Sequence, residues 1–182
     1  MGEREKIEEI KPMILRGRAR VIAVDNVDTD MIFHNRHLHI TDRAEMGKHI
    51  FGNLPGWETF PKVARPGDIL IVGRNFGCGS SRQQAVDGFL ALGVAALVGR
   101  SFGAIYKRNA INASLPLLEC PDIMASGIHD GDEIQVDMAA GIVRTSDGSE
   151  LARGKPMSEV AMDIYQSGGL LDLAKLSKQV SK

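Results

Sequence analysis

The chain has 182 residues and a formal net charge of −1, with 22 Lys and Arg against 23 Asp and Glu. That length fits one domain with its own core, and 43% hydrophobic with 25% charged residues excludes a disordered chain. Without a basic excess the chain is no general nucleic-acid binder. The longest uncharged apolar run, Gly88 to Gly99, is far too short for the roughly 20 residues of a membrane span.

Met1 to Arg16 reads as a charged amphipathic lead-in with no apolar signal core, so a cytoplasmic protein is expected. Ala19 to Val24 is a short β-branched run, and Asp25 to Asp30 an acidic turn. Met31 to Thr41 is polar and rich in histidine. Asp42 with Glu45 three residues on resembles a capping box, opening a helix to about Ile50. Phe51 to Pro66, with its prolines and glycines, reads as an irregular loop. Asp68 to Gly73 (DILIVG) has the length of a buried strand. A glycine-rich loop follows, Ser80-Ser81 reads as a helix start, and Arg82 to Leu92 as the helix, closed by Gly93. Val94 to Val98 is the next strand. Ser101 is expected to cap a helix running to about Asn112, and Leu115 to Glu119 returns as a strand. This alternation predicts βαβ units on a partly parallel sheet. Glu133 to Asp137 and Gly141 to Thr145 form a hairpin, Pro156 to Gln166 a helix, and Leu170 to Lys182 a terminal helix.

The strongest chemical constellation is Gly77-Cys78-Gly79-Ser80-Ser81-Arg82, between a strand and a helix. Glycines let the backbone approach a ligand closely. A helix N-terminus attracts anions, and a guanidinium can grip a carboxylate through two parallel hydrogen bonds. The bland reading makes Ser80 an N-cap and Arg82 a solvated side chain. A P-loop is excluded because the loop has no lysine. A nucleophile elbow is excluded because the order around Ser80 is wrong. Cys78, if it stood at a helix start, would have a depressed thiol pKa; a small-residue packing role is the stronger reading. His34, His37 and His39 with Asp42 match no standard zinc spacing, so no metal is assigned to them.

Asn75 to Arg82 resembles the signature of the swivelling domain of the aconitase superfamily, and most closely its small subunits of 3-isopropylmalate dehydratase and homoaconitase. Three more segments agree in order: Val27-Asp28-Thr29-Asp30-Met31-Ile32, then Arg100-Ser101-Phe102, then Arg108-Asn109-Ala110-Ile111-Asn112 with Leu115-Pro116-Leu117 behind it. The motif core runs from about residue 18 to residue 119 of a single domain, 1–182. The resemblance implies a three-layer β/β/α swivelling domain with a mixed, partly parallel sheet. It implies a hydro-lyase subunit that works only with a large partner subunit carrying a [4Fe–4S] cluster. Cys78 and Cys120 are the only cysteines. They are too few for such a cluster, which takes about four ligands.

Carried over residue by residue, the resemblance makes Ser80 the general base, Ser81 a substrate-binding neighbour and Arg82 the grip on a substrate carboxylate. Thr29 and Asp30 would line the same site. In the family a stretch reading I-I-P-x-R/K-Y/F-L follows. Here it reads Ile32 to Leu38, with Arg36 at the basic position, His34 for the proline and His37 for the aromatic. Gln83-Gln84 stands where Glu-His is common. The leading reading is therefore isomerisation of isopropylmalate in leucine biosynthesis, by dehydration and rehydration. Homoaconitate or another alkylmalate such as dimethylmalate is the alternative substrate. A stand-alone anion-binding regulatory module is the alternative of another class. An RNA-binding role has little support from the charge and from 5% aromatic residues.

Overall fold

The computed structural model describes residues 10–180. Its first strand, β1 (Ile14–Ile22), carries two different ladders. Ala19 to Ile22 pair in parallel with β2 (Ile69–Val72), while Ile14 to Arg18 pair antiparallel with β5 (Glu133–Asp137). Beyond β2 lie β3 (Ala96–Gly99) and β4 (Leu117–Glu119), both parallel. Beyond β5 lie β6 (Ile142–Thr145) and β7 (Glu150–Arg153), both antiparallel. The sheet order is β4-β3-β2-β1-β5-β6-β7.

The changeover within β1 has a steric mark. A Cβ on Gly17 would lie 1.9 Å from the Gly67 carbonyl oxygen, so only glycine admits that crossing chain. Beside it, Arg18 donates through Nε (3.0 Å) and Nη2 (2.9 Å) to the buried Asp68 carboxylate. A buried carboxylate needs such a partner.

Alternation along the parallel strands divides the interior. Leu70, Val72 and Leu97 join the aromatic side chains Phe33, Phe51, Phe60, Phe76 and Phe89 in one core. This core is covered by α2 (Arg43–Gly47), α3 (Phe60–Val63), α4 (Gln84–Ala91) and α5 (Ala104–Asn112). Ile69, Ile71, Ala96, Val98 and Leu118 face the other way and meet Ile134, Val136, Val143 and Ala152 of the antiparallel half. The sheet thus curls so that its antiparallel half covers one face of its parallel half. The β/β/α layering with a mixed, partly parallel sheet is as expected. Burial on both faces explains the unbroken apolar run of β2.

Several local readings change. The lead-in, Met1 to Arg16, falls partly outside the described residues, but its last part is strand, because β5 supplies a ladder that local sequence does not reveal. The helix after the glycine-rich loop begins only at Gln84, with Gln83 as its uncapped N-cap. The helix after Ser101 begins at Ala104 behind Gly103, because the Ser101 hydroxyl accepts from the Asn75 N–H instead (2.8 Å). Asp42 does cap α2, but the Glu45 carboxylate pairs with Lys48 rather than closing a capping box. Phe51 to Pro66 contains α3, with a proline in its first turn. β7 was not expected. It is an edge strand with exposed, charged ends, which hides its strand character. Towards the C-terminus, α6 (Glu159–Gln166) starts at the Ser158 cap and α7 (Leu170–Val180) follows Gly168-Gly169. Among the described residues, no helix is long and apolar enough to cross a membrane.

Gly17→Ala should destabilise the chain by about 1–3 kcal/mol, the cost of forcing a methyl against fixed backbone. A denaturant midpoint lowered without a change in slope is the expected result.

Candidate functional site at the Ser80-Ser81 loop

The site is built at the carboxyl ends of β1, β2 and β3, where open α/β sheets place their ligands. The loop after β2 is stitched on both sides. Gly77 N–H donates to Val27 O (2.7 Å), and Thr29 N–H donates to Cys78 O (2.9 Å). On the other side, Phe76 N–H donates to Ser101 O (3.1 Å) and Gly103 N–H to Phe76 O (2.9 Å). Gly77 has φ +73°, and a Cβ there would sit 2.2 Å from Cγ of Tyr106. Glycine is required both for the backbone and for the ring beneath it. Tyr106 is buried and donates to the Ala85 carbonyl (3.2 Å), tying α5 to α4; burial pushes its phenol pKa far up, so it stays protonated.

Asp28 caps the short helix α1 (Thr29–Ile32), accepting from Asp30 N–H (2.8 Å) and Met31 N–H (2.9 Å). That places Thr29 and Asp30 against the loop. Thr29 is only 2% exposed, and its hydroxyl donates to the Ser80 carbonyl oxygen (2.8 Å). Thr29 thus holds the loop from beneath. Ser81 Oγ accepts from Asn109 Nδ2 of α5 (2.9 Å). Gly79, Ser80 and Ser81 are exposed. The Ser80 hydroxyl makes no hydrogen bond among the described residues, and neither do the main-chain N–H groups of Ser80 to Gln84. The anion-attracting feature is therefore a run of open donors in an extended segment plus the first turn of α4, rather than a helix capped at Ser80.

Arg82 is half-buried, with 14% of its side chain exposed, and is aimed by fixed acceptors. Its Nη1 donates to Asp30 Oδ1 (2.6 Å) and to the Phe33 carbonyl (2.9 Å). Its Nε and Nη2 donate to nothing among the described residues. Asp30 also accepts from Asn35 N–H (2.9 Å) and from Asn53 Nδ2 (2.9 Å). The Arg82 hydrogen bond chiefly, with the Asn35 N–H behind it, holds the Asp30 carboxyl below the usual carboxylate range against some desolvation.

Arg36 is exposed on a short 3-10 turn, Asn35–His37, and its Nε donates to His37 Nε2 (3.0 Å). His37 stacks on His49 with ring centroids 4.0 Å apart. Desolvation first, then the neighbouring His49 and Arg36, push its pKa down, so it stays a neutral acceptor. The structure thus gathers Ser80, Ser81, Arg82, Thr29 and Asp30 directly. Arg36 follows Asn35 in sequence, but its guanidinium is engaged with His37 and makes no hydrogen bond or ion pair to Asp30, Arg82 or the Ser80 loop among the described residues. Asn53 and Asn109 were not among the residues expected at the site. Asn109 lies within the Arg108 to Asn112 motif, which could have flagged it; nothing in the sequence flags Asn53.

Cys78 is half-buried and Cys120 buried. Burial first, and then the charge of Asp28, raise the Cys78 thiol pKa, the reverse of the helix-start expectation. Among the described residues, no group of three or more His, Cys, Asp or Glu converges to hold a metal. The donors present do not fit an iron–sulfur cluster on this chain.

The description "Aconitase C-terminal domain" matches residues 12–122. The chain belongs to that family. The resemblance read from the four motifs is thereby established, and other family members agree over nearly their whole length. A 3-isopropylmalate dehydratase small subunit from Caldicellulosiruptor saccharolyticus is 40% identical over 90% of this chain and 92% of its own. One from Pyrobaculum aerophilum is 43% identical over 91% of this chain and 100% of its own. The crystal structure of 3-isopropylmalate dehydratase from Methanocaldococcus jannaschii superposes with a TM-score of 0.83 at 33% identity, covering 92% of this chain and 97% of that one. The aconitase C-terminal domain fold thus carries the exposed Ser80 loop at the carboxyl end of its interior strand β2.

Because the folded state lowers the Asp30 pKa, it binds fewer protons there than the unfolded chain, whose carboxyl titrates near 3.9. This contribution to stability is present above about pH 4 and is lost as pH falls through the lower, folded value. Urea midpoints measured from pH 6 down to pH 2.5 should show a loss for the wild type. In Arg82→Met that part of the pH dependence should flatten.

Proposed function

We propose that this chain is the small subunit of a cytoplasmic 3-isopropylmalate dehydratase. It would exchange 2- and 3-isopropylmalate in leucine biosynthesis, by removing and re-adding water across neighbouring carbons. The observation that carries this reading is the exposed, unpartnered Ser80 hydroxyl, held two residues from a pre-aimed Arg82 in a chain of this family.

The chemistry follows from the residues. A hydro-lyase must take a proton from the carbon next to a carboxylate. A serine hydroxyl is a poor base in water, so its oxyanion has to be offset by donors placed in advance. The open N–H groups of Ser81 and Arg82 and the guanidinium charge would supply those donors. Arg82 offers its free Nε–Nη2 edge to a substrate carboxylate in bidentate fashion while Asp30 keeps the other side fixed. Arg36 would meet the second carboxylate of a diacid, on leaving its contact with His37. Ser81, fixed by Asn109, supports binding beside it. Thr29 sets the backbone of Ser80.

The family reading puts the [4Fe–4S] cluster on a large partner subunit, and two cysteines on this chain are too few to ligate one. This chain's share is proton transfer and carboxylate binding, and the open Ser80 surface is the face offered to that partner. A relative from Methanocaldococcus jannaschii, 37% identical over 89% of this chain, is named an isopropylmalate/citramalate isomerase small subunit. Citramalate therefore belongs in the substrate panel beside the isopropylmalates, homoaconitate and dimethylmalate.

The test is reconstitution. The purified chain alone should not turn over any of these acids. Activity should appear on adding the large subunit anaerobically. In that assembly Ser80→Ala should lower kcat by about 10²-fold or more with KM little changed, because it removes the base. Arg82→Lys should raise KM and also lower kcat, because an ammonium cannot reproduce the guanidinium fork. Full activity in both variants would overturn the site. Tight binding of a carboxylate by the chain alone, with no turnover in any assembly, would favour an anion-binding module.

A further inference from the structure

We propose that Asn53 is a positioning residue for Arg82, acting through the Asp30 carboxylate. The inference rests on the reading of Arg82 as the carboxylate grip, and it brings in a residue from outside every motif of the chain.

The geometry is specific. Asp30 Oδ1 takes both Arg82 Nη1 (2.6 Å) and Asn35 N–H (2.9 Å). Oδ2 takes Asn53 Nδ2 (2.9 Å), and the same amide nitrogen lies 3.4 Å from the Asp30 carbonyl oxygen. Two points of attachment fix the torsion of a carboxylate; one leaves it free to turn. Without Asn53, Oδ2 has no donor among the described residues, and the plane of the carboxylate is no longer set. The direction of Nη1, and with it the free Nε–Nη2 edge, would then loosen. Productive geometry at such a site is lost with errors of under an ångström.

Asn53 is itself rigidly presented. Phe51 has φ +59°, a left-handed conformation that is unfavourable for a non-glycine residue. It is held there by its ring, packed edge-on against Phe60, Phe76 and Phe89, and by its N–H bond to Ile32 O (2.8 Å). Leu54 is buried and donates its N–H back to Phe51 O (3.0 Å). Asn53 therefore sits on a tight turn whose flanking side chains are locked in the core, and the turn delivers its amide to Asp30. Backbone strain of this kind persists where the surroundings impose it, and it clusters at functional sites. Phe76, in the same aromatic cluster, opens the loop to Ser80. One apolar cluster thus fixes both the loop that bears the serine and the amide that aims the arginine.

The experiment has two arms. In the assembled enzyme, Asn53→Ala should raise KM for isopropylmalate roughly tenfold, the loss expected for one hydrogen bond to a charged group, with kcat changed less. Combined with Arg82→Lys, which already spoils the fork, the added effect of Asn53→Ala should shrink to under about twofold, the non-additivity of residues acting through one another. Asn53→Asp, which sets a second carboxylate against Asp30, should be worse than Asn53→Ala. In the isolated full chain, Asn53→Ala should raise the Asp30 carboxyl pKa observed by NMR titration, with little change in Tm. An unmoved Asp30 titration, an unchanged KM, or an effect that multiplies in full with that of Arg82→Lys overturns the proposal. If Ser80→Ala and Arg82→Lys themselves keep full activity, the functional reading has failed, and the titration alone then decides whether Asn53 holds Asp30.

Discussion

The exposed serine pair depends on a short backbone seam between two loops that are distant in sequence. Val27 O, Thr29 N–H and the Thr29 hydroxyl bind Gly77, Cys78 and Ser80 in turn. Neither loop would hold its shape alone: the Gly77 to Arg82 segment is neither helix nor strand, and α1 is barely one turn long. Each supplies the other's missing hydrogen bonds, and the Tyr106 ring beneath Gly77 sets their height above the core. The loop is tied through the N–H groups of Asn75, Phe76 and Gly77 and the carbonyls of Phe76, Cys78 and Ser80, while the N–H groups from Ser80 to Gln84 stay open. The donors beyond Gly79 stay available for an anion because the ties fall on the first half of the loop and on the Ser80 carbonyl.

Charge at the site follows the same division. Arg82 has one edge committed and one edge open, so it is neither a closed ion pair nor a mobile surface cation. The Asp30 carboxylate keeps it oriented without satisfying it. The histidine-bearing turn hangs from the same Asp30 oxygen through Asn35. His37 accepts from Arg36 as a neutral ring, so the two do not repel.

The parallel half of the fold was readable because βαβ units write themselves locally: DILIVG, then the glycine loop, then an amphipathic helix ended by Gly93. The antiparallel half was readable only as a hairpin. That β1 begins at Ile14 and that β7 exists are facts of pairing, and the residues that pair with β1 lie far along the chain. The chemical residues were visible as a motif and their family was named correctly from it. Their local geometry was not visible. Ser80 and Ser101 look like helix caps by residue type, but the Ser101 hydroxyl is taken by the Asn75 N–H, and Ser80, its carbonyl held by Thr29, lies ahead of a helix that starts only at Gln84. Thr29 reads as a site residue, and only its burial shows that it works from below. Asn53 is legible from neither motif nor periodicity, because its role comes from a left-handed turn imposed by ring packing.

The double allegiance of β1 also has a consequence in time. Its parallel partner, β2, leaves the ribosome early, but the partner for Ile14 to Arg18 lies at Glu133 to Asp137. At roughly 5–20 residues per second, that edge stands unpaired for on the order of ten seconds during synthesis. An open strand edge of this kind invites pairing with another nascent chain. Arg16, Arg18 and Arg20 stud this strand at alternate positions. Charge on an unpaired edge discourages such encounters, so the arginines that serve the finished sheet also guard the strand while its second partner is still being made.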